Sequence, residues 1–176
     1  MYLLFGNKKI PKSLPSSAIK EASKALPLFT QDEQILSEIR KEDPNSYQQI
    51  SYIYKNAHFP IYHNSETVYF GTGEENFECM LEELKKAKHF IFMEYFIINT
   101  GYMLDSIMSV LEQKVKEGVV VKLLYDDFGC LITLPEDFEE QMREKGIDCH
   151  AFNKLRPVLA IQMNNRDHRK IWGIDG

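Results

Sequence analysis

Asn164-Asn165-Arg166-Asp167-His168-Arg169-Lys170-Ile171-Trp172-Gly173-Ile174-Asp175-Gly176 is the stretch on which the reading of this 176-residue chain turns. It is polar up to Lys170, becomes apolar at Ile171 and closes on Asp175-Gly176, the pattern of a loop that enters a strand and leaves by a turn. Side chains two apart share a face of an extended chain, so His168 and Lys170 point one way and Arg169 the other. An imidazole beside an ammonium is a phosphate site in outline. The imidazole can attack phosphorus or carry a proton, and the lysine can neutralise charge growing on the phosphoryl oxygens. Asp175 lies an odd number of residues from both and faces away, ending the strand or bracing a neighbour unless a bulge at Gly173 re-aims it.

The bare spacing H-x-K-x4-D is weak evidence, because roughly one chain in eighty would carry it by chance. With its flanks, Arg166-x-His168-Arg169-Lys170-Ile171-x-x-Ile174-Asp175-Gly176 resembles the first H-K-D motif of the phospholipase D superfamily, and of its cardiolipin synthase branch in particular. The order of elements upstream resembles the same branch from about Tyr69, and more loosely from Met1. Trp172-Gly173 stands where the family has small β-branched residues, and Gly129-Cys130 where it usually has Gly-Ser.

That resemblance implies a phospholipase D-like α/β/α sandwich, of which the chain is an incomplete first half: a basic, helical, membrane-proximal extension over residues 1–65, then the first α/β domain over 66–176. It implies phosphodiester exchange without metal or cofactor, in which one motif histidine attacks phosphorus and the histidine of a second motif protonates the leaving alkoxide. For a cardiolipin synthase the donor and acceptor are both phosphatidylglycerol, and glycerol leaves. By the same resemblance His168 is one of the two catalytic histidines, Lys170 the phosphate-binding cation and Asp175 a supporting group; Arg166 and Arg169 hold the anionic head group. The implied partners are anionic phospholipid, the cytoplasmic face of a cell membrane, and a missing second H-K-D half or a homodimer partner. Two other readings stay open: a single-motif phosphodiesterase or nuclease acting as a dimer, and a catalytically silent fragment or lipid-binding module.

Composition sets the outer limits. A hydrophobic content of 44% suffices for a core, and a net charge of -5 argues against a dedicated nucleic-acid binder. Cys79, Cys130 and Cys149 are odd in number and have no C-x-x-C spacing, which indicates neither a disulfide framework nor a zinc site. Met1 to Phe5 is apolar but too short to span a bilayer. Lys8, Lys9, Lys12, Lys20 and Lys24 make the first thirty residues basic, and Pro11, Pro15 and Pro27 discourage continuous helix. Such a segment is either a solvated arm or one attracted to anionic lipid.

Further along, Ile35, Leu36 and Ile39 predict a short helix from a Thr30 cap, and Asp43-Pro44 starts a second whose tyrosines read as a core or interdomain face. Thr67 to Phe70 reads as a short strand, Gly71-Thr72-Gly73 as an ordinary turn, and Glu74 to Lys88 as a helix with Phe77, Met80, Leu81 and Leu84 inward. Phe90 to Ile98 is a near-continuous apolar run, the signature of a strand covered on both faces. Glu94 interrupts it, and a carboxylate there is either structurally paired or placed near the reacting phosphate. A helix over Met103 to Glu117 and a strand over Val119 to Tyr125 complete a strand, helix, strand unit with parallel strands. Asp126-Asp127-Phe128-Gly129 falls at the carboxyl end of that strand and reads as loop rather than metal site. Pro135 to Lys145 predicts another helix and Ile147 to Phe152 another strand, with His150 structural.

Overall fold

The computed structural model describes residues 20, 23–24, 26–63, 65–154 and 166–175. The readings of the basic lead-in before Leu26 and of the connection through Arg156-Pro157 therefore fall largely outside the described residues. Two compact units are present, one ending at Tyr69 and the other beginning at Phe70.

In the first unit, α1 spans Glu33–Glu42 and α2 spans Pro44–Ala57. The cap of α1 is Asp32, not Thr30: its carboxylate accepts from the Gln34 amide at 2.8 Å, adding negative charge at the positive end of the helix. Asp43 caps α2 through the Asn45 and Ser46 amides, with Pro44 at the first helical position as expected. His58, in the left-handed conformation, ends it. Beyond it, the Gln31 side chain accepts from the Ile61 amide at 2.8 Å and so ties this loop back to the approach to α1. No residue of α2 is fully buried: Tyr47 and Tyr54 are half-buried and Tyr52 is 70% exposed, so Tyr52 departs from the reading of these tyrosines as a core or interdomain face.

The second unit opens without the strand expected over Thr67–Phe70. Instead Thr72 accepts from the Glu75 amide while the Glu75 carboxylate accepts from Gly71, a reciprocal cap that starts α3, Gly73–Lys86. Strand β1 (Phe90–Tyr95), α4 (Tyr102–Lys116), β2 (Val120–Asp126), the four-residue α5 (Asp127–Cys130), α6 (Phe138–Glu144), β3 (Asp148–Phe152) and β4 (Lys170–Ile174) follow. Gly118 and Gly146, at φ 91° and 82°, supply the positive φ that ends the helices before β2 and β3.

The sheet order is β3-β2-β1-β4, with β1, β2 and β3 parallel and β4 antiparallel to β1. The chain is thus an α/β protein with a mixed four-stranded sheet. Among the described residues its core lies on one face. Ile91, Met93, Val121, Leu123 and Cys149 point to the side where Phe77, Leu84, Met108, Leu111, Phe138 and Met142 pack from the helices. Each such side chain contributes about 1.5–3 kcal/mol by leaving water, and Leu84→Ala would forfeit about 2–5 kcal/mol.

The opposite face is open among the described residues. Phe92 and Ile171 are 44% and 49% exposed there, and Phe92, Glu94, Lys122, Leu124, His150 and Ile171 line a shallow depression. Among the described residues β1 is thus covered on one of the two faces expected. An apolar run such as Phe90-Ile91-Phe92-Met93 reads the same whether one or two layers cover it.

Pairing of β1 with β4 runs without a slipped residue from Tyr95 opposite Lys170 to Ile91 opposite Ile174. Gly173 therefore forms no bulge. Trp172, half-buried, packs on the core side, and Gly173 faces Phe92 across the strands. His168 and Lys170 consequently lie at the end where β1, β2 and β3 terminate, the end at which open α/β sheets gather ligands.

Candidate functional site

The segment before β4 is fastened to β2 by one carboxylate. Asp126, with 0% exposure, accepts from the Phe128 and Gly129 amides at 3.0 and 3.1 Å, from the Asp167 amide at 2.9 Å and from the Arg166 guanidinium at 3.3 Å. Arg166 also donates to the Asn153 carbonyl at the end of β3, and its guanidinium lies 5.1 Å from the centre of the Phe128 ring. Arg166 thus bridges the ends of β2 and β3. A buried acceptor with four donors is a rigid anchor, because each donor would otherwise be stranded without water.

His168 is exposed and follows that anchor by two residues. Its ring stacks on Phe96, with centroids 4.0 Å apart and 29° between the planes. The Lys170 ammonium donates to His168 Nδ1 at 3.1 Å and to the His168 carbonyl at 2.8 Å, and it sits 5.1 Å from the centre of the same Phe96 ring. An ammonium has donors only, so this contact makes Nδ1 an acceptor and assigns the ring proton to Nε2. The period-two expectation for His168 and Lys170 holds in its simplest form: the two groups touch.

Arg169 turns the other way. It lies 3.0 Å from Asp167 Oδ1 and 2.7 Å from Glu94 Oε1, the latter a close ionic contact rather than an aligned hydrogen bond. Two carboxyl groups thus meet beside one guanidinium. The hydrogen bond to Asp167, then burial and the Asp167 charge, raise the Glu94 carboxyl above its ordinary range, while the same bond from Glu94 and those from Arg169 hold Asp167 below its own. The proton affinities of the two carboxyl groups are thus driven apart, Glu94 upward and Asp167 downward. Glu94 and Arg169 therefore pair with each other and with Asp167, behind the His168–Lys170 pair rather than within it.

Asp175 does not join His168 either. It lies at the far end of β4, roughly 17 Å along the strand from Lys170 at 3.4 Å per residue. Its carboxylate accepts from the Lys88, His89 and Phe90 amides at 2.6, 2.9 and 2.8 Å, and these bonds hold its pKa below the ordinary value. It braces the start of β1, and its left-handed φ of 40° turns the chain out of the sheet.

Other candidates lie apart from this cluster. His150 bonds Asp148 at 2.9 Å on the outer edge of the sheet, where Lys154 and Arg143 both pair with Glu139. Cys130 and Cys149 are buried, and burial pushes the Cys149 thiol up to about 12, unsuited to a nucleophile. Among the described residues no cluster of His, Cys, Asp and Glu could hold a metal ion, and no helix is long and apolar enough to cross a membrane. Sequence reasoning did not single out Phe96, hidden in an apolar run, or Asp167. Asp126 was visible only as a loop residue at a strand end, the position that signals a ligand-facing turn.

No family model matches the chain. Relatives do. An uncharacterized protein of Streptococcus mutans is 40% identical over 90% of this chain and 35% of its own length. Cardiolipin synthase 2 of Staphylococcus epidermidis is 32% identical over 100% of this chain and 37% of its own, and cardiolipin synthase 2 of Bacillus anthracis 41% identical over 64% and 22%. Among solved structures, the archaeal chromatin protein TrmBL2 superposes with a TM-score of 0.39 at 14% identity, over 93% of this chain and 54% of that one, a likeness too slight to bear on the fold. By its relatives the chain belongs to the phospholipase D-like proteins. Within them it belongs with the bacterial cardiolipin synthases, and its matches span from about a fifth to little more than a third of the length of those curated relatives.

Proposed function

We propose that this chain supplies one histidine and one phosphate-binding lysine to a phosphatidyltransferase that joins two phosphatidylglycerol molecules into cardiolipin. The observation that carries the reading is the exposed His168 imidazole with the Lys170 ammonium 3.1 Å from its Nδ1, held at the end of a parallel sheet. With Nδ1 engaged by Lys170, Nε2 is the nitrogen that meets the phosphoryl group. As the acid it gives up the proton it carries; as the nucleophile it attacks only after Lys170 has left Nδ1 and the ring proton has shifted there, freeing the Nε2 lone pair.

The reaction needs two imidazoles. One attacks phosphorus, forming an N–P bond as the P–O bond to glycerol breaks, and the other gives its proton to the departing alkoxide. The second imidazole then takes the proton of the acceptor hydroxyl, whose oxygen attacks phosphorus and breaks the N–P bond. His168 is one of the two, and the other comes from a second motif elsewhere in the polypeptide or in a second copy. Lys170 moves from Nδ1 to the phosphoryl oxygens as charge develops on them. Arg166 and Arg169 add positive potential that favours an anionic head group. Asp175 supports the site by holding the edge strand in register, and Glu94 by fixing the direction of the Arg169 side chain together with Asp167.

On this reading the α/β/α sandwich is completed by a further layer over the open face at Phe92, Leu124 and Ile171, and the site works at the cytoplasmic face of a membrane. The chain alone transfers phosphatidyl groups poorly or not at all. The test is mass-spectrometric detection of cardiolipin from phosphatidylglycerol vesicles. A polypeptide that carries this region and a second motif should be active, and His168→Ala should lower its turnover by at least about a hundredfold. Unchanged turnover in that variant, or robust synthesis by the chain as a monomer, refutes the reading. Hydrolysis of DNA by a dimer of the chain, weakening as salt rises, would favour a nuclease instead.

A further inference from the structure

We propose that Phe96 is a positioning residue for the site: its ring face holds the His168 imidazole and the Lys170 ammonium side by side in the arrangement that meets a phosphoryl group. The effect on phosphate rests on the function proposed above; the placement of the ring does not. Two independent sets of contacts support it.

The first concerns the ring. A benzene face carries negative quadrupolar potential that attracts an ammonium, and its flat apolar surface takes an imidazole stacked on it by dispersion. Lys170 lies 5.1 Å from the ring centre and His168 stacks on the ring at 4.0 Å, so one side chain touches both members of the pair. His168 precedes the first residue of β4 by two positions and has no ladder bonds to orient it. Its ring direction is set by Phe96 and Lys170.

The second concerns the backbone that carries that ring. Phe96 directly follows β1, and its carbonyl is so close to α5 that a Cβ on Gly129 would come within 2.2 Å of it. Only glycine admits that approach. The next turn of chain is gripped as well: the Ile98 amide donates to Cys130 Sγ at 3.2 Å, and the Thr133 hydroxyl donates to the Ile98 carbonyl at 2.5 Å. The Phe96 main chain therefore cannot drift from the end of β2, where Asp126 also fixes the segment leading to His168. Platform and motif are referred to the same strand, a geometry suited to holding two groups within the tolerance phosphoryl chemistry demands.

The decisive measurement is the ring-proton chemical shift of His168, by NMR on the intact chain with labelled histidine. A ring stacked on a phenyl face is shielded, so His168 should resonate upfield of the other four histidines, its signal assigned by its loss in His168→Gln. Phe96→Leu should move it downfield among the others, and Phe96→Tyr, which keeps the ring, should restore it. In parallel, titration with inorganic phosphate should show about two- to fivefold weaker binding in Phe96→Leu and near-native binding in Phe96→Tyr. A His168 signal unshifted in the wild-type chain, or unmoved by Phe96→Leu in a protein of native melting temperature, overturns the proposal. Should Phe96→Leu fail to fold, the wild-type shift and Phe96→Tyr still decide it. If the shift and its rescue appear but the wild-type chain binds no phosphate, the platform stands and the phosphate reading falls.

Discussion

Replacing Asp126 by alanine removes one acceptor from four donors at once, and the loss can be worked out donor by donor. The Phe128 and Gly129 amides lose their cap, at about 0.5–2 kcal/mol. The Asp167 amide is left in a site without water, at about 1–3 kcal/mol. The Arg166 side chain, 12% exposed, loses its carboxylate partner, and unpairing a buried charge costs about 3–5 kcal/mol where measured. These costs do not add, because the four donors share one acceptor and Arg166 keeps the Asn153 carbonyl; the loss expected for Asp126→Ala is about 3–5 kcal/mol. With m near 2 kcal/mol per molar urea, the unfolding midpoint should fall by about 1.5–2.5 M. The assay is urea denaturation followed by fluorescence of Trp172, the single tryptophan, which lies in β4 beside the site. Asp148→Ala provides the contrast: its carboxylate is half-exposed in pairs with His150 and Lys122, worth under about 1 kcal/mol. Asp126→Asn should fall between. Its remaining oxygen can still serve Phe128, Gly129 and Arg166, but its amide N–H2 meets the Asp167 N–H donor to donor. A midpoint for Asp126→Ala no lower than that for Asp148→Ala would refute the anchor.

Three further outcomes are expected. The Asp175 carboxyl is held below 3.8 by the Phe90, Lys88 and His89 amides, so the unfolded chain takes up its proton first as pH falls. The stability gap between wild type and Asp175→Asn should then be full above about pH 4 and shrink as pH drops through the depressed folded pKa; a pH-independent gap in denaturation curves would argue against it. In carboxyl-carbon NMR titrations Glu94 should titrate above 4.5, should drop toward it in Asp167→Asn, and should rise further in Arg169→Gln, since Arg169 opposes the shift; a Glu94 midpoint indifferent to Asp167 would remove the interaction between the two carboxyl groups. Gly129→Ala should destabilise the protein by about 1–3 kcal/mol by pushing on the Phe96 carbonyl, and it should also shift the His168 ring protons; native stability and shifts would contradict the close approach.

Much of the second unit is legible in local pattern. The stripes Phe77, Met80, Leu84 and Leu104, Met108, Leu111 repeat at helical spacing and do face the core, because a helix can bury only what its period brings to one side. Parallel pairing of β1 with β2 follows from the single helix between them. Boundaries moved where polar caps compete: Asp32 displaced Thr30 because a charged oxygen binds helix amides more strongly than a hydroxyl. Tyr52 of α2 misled because aromatic content marks neither burial nor exposure.

The sequence by itself determined that His168 and Lys170 share a face with Arg169 opposite, since alternation along a strand is a property of the backbone and needs no neighbour. It also determined the α/β class, through the order of apolar periods. Tertiary structure decided the rest. That β4 lies antiparallel against β1, that Asp126 and Asp167 meet across forty-one residues, that Glu94 and Arg169 come together, and that Phe96 lies under both motif side chains are all contacts between distant segments. No local period encodes them. They arise only when pairing register brings strand ends together, and it is at those ends that the polar groups of this chain find their partners.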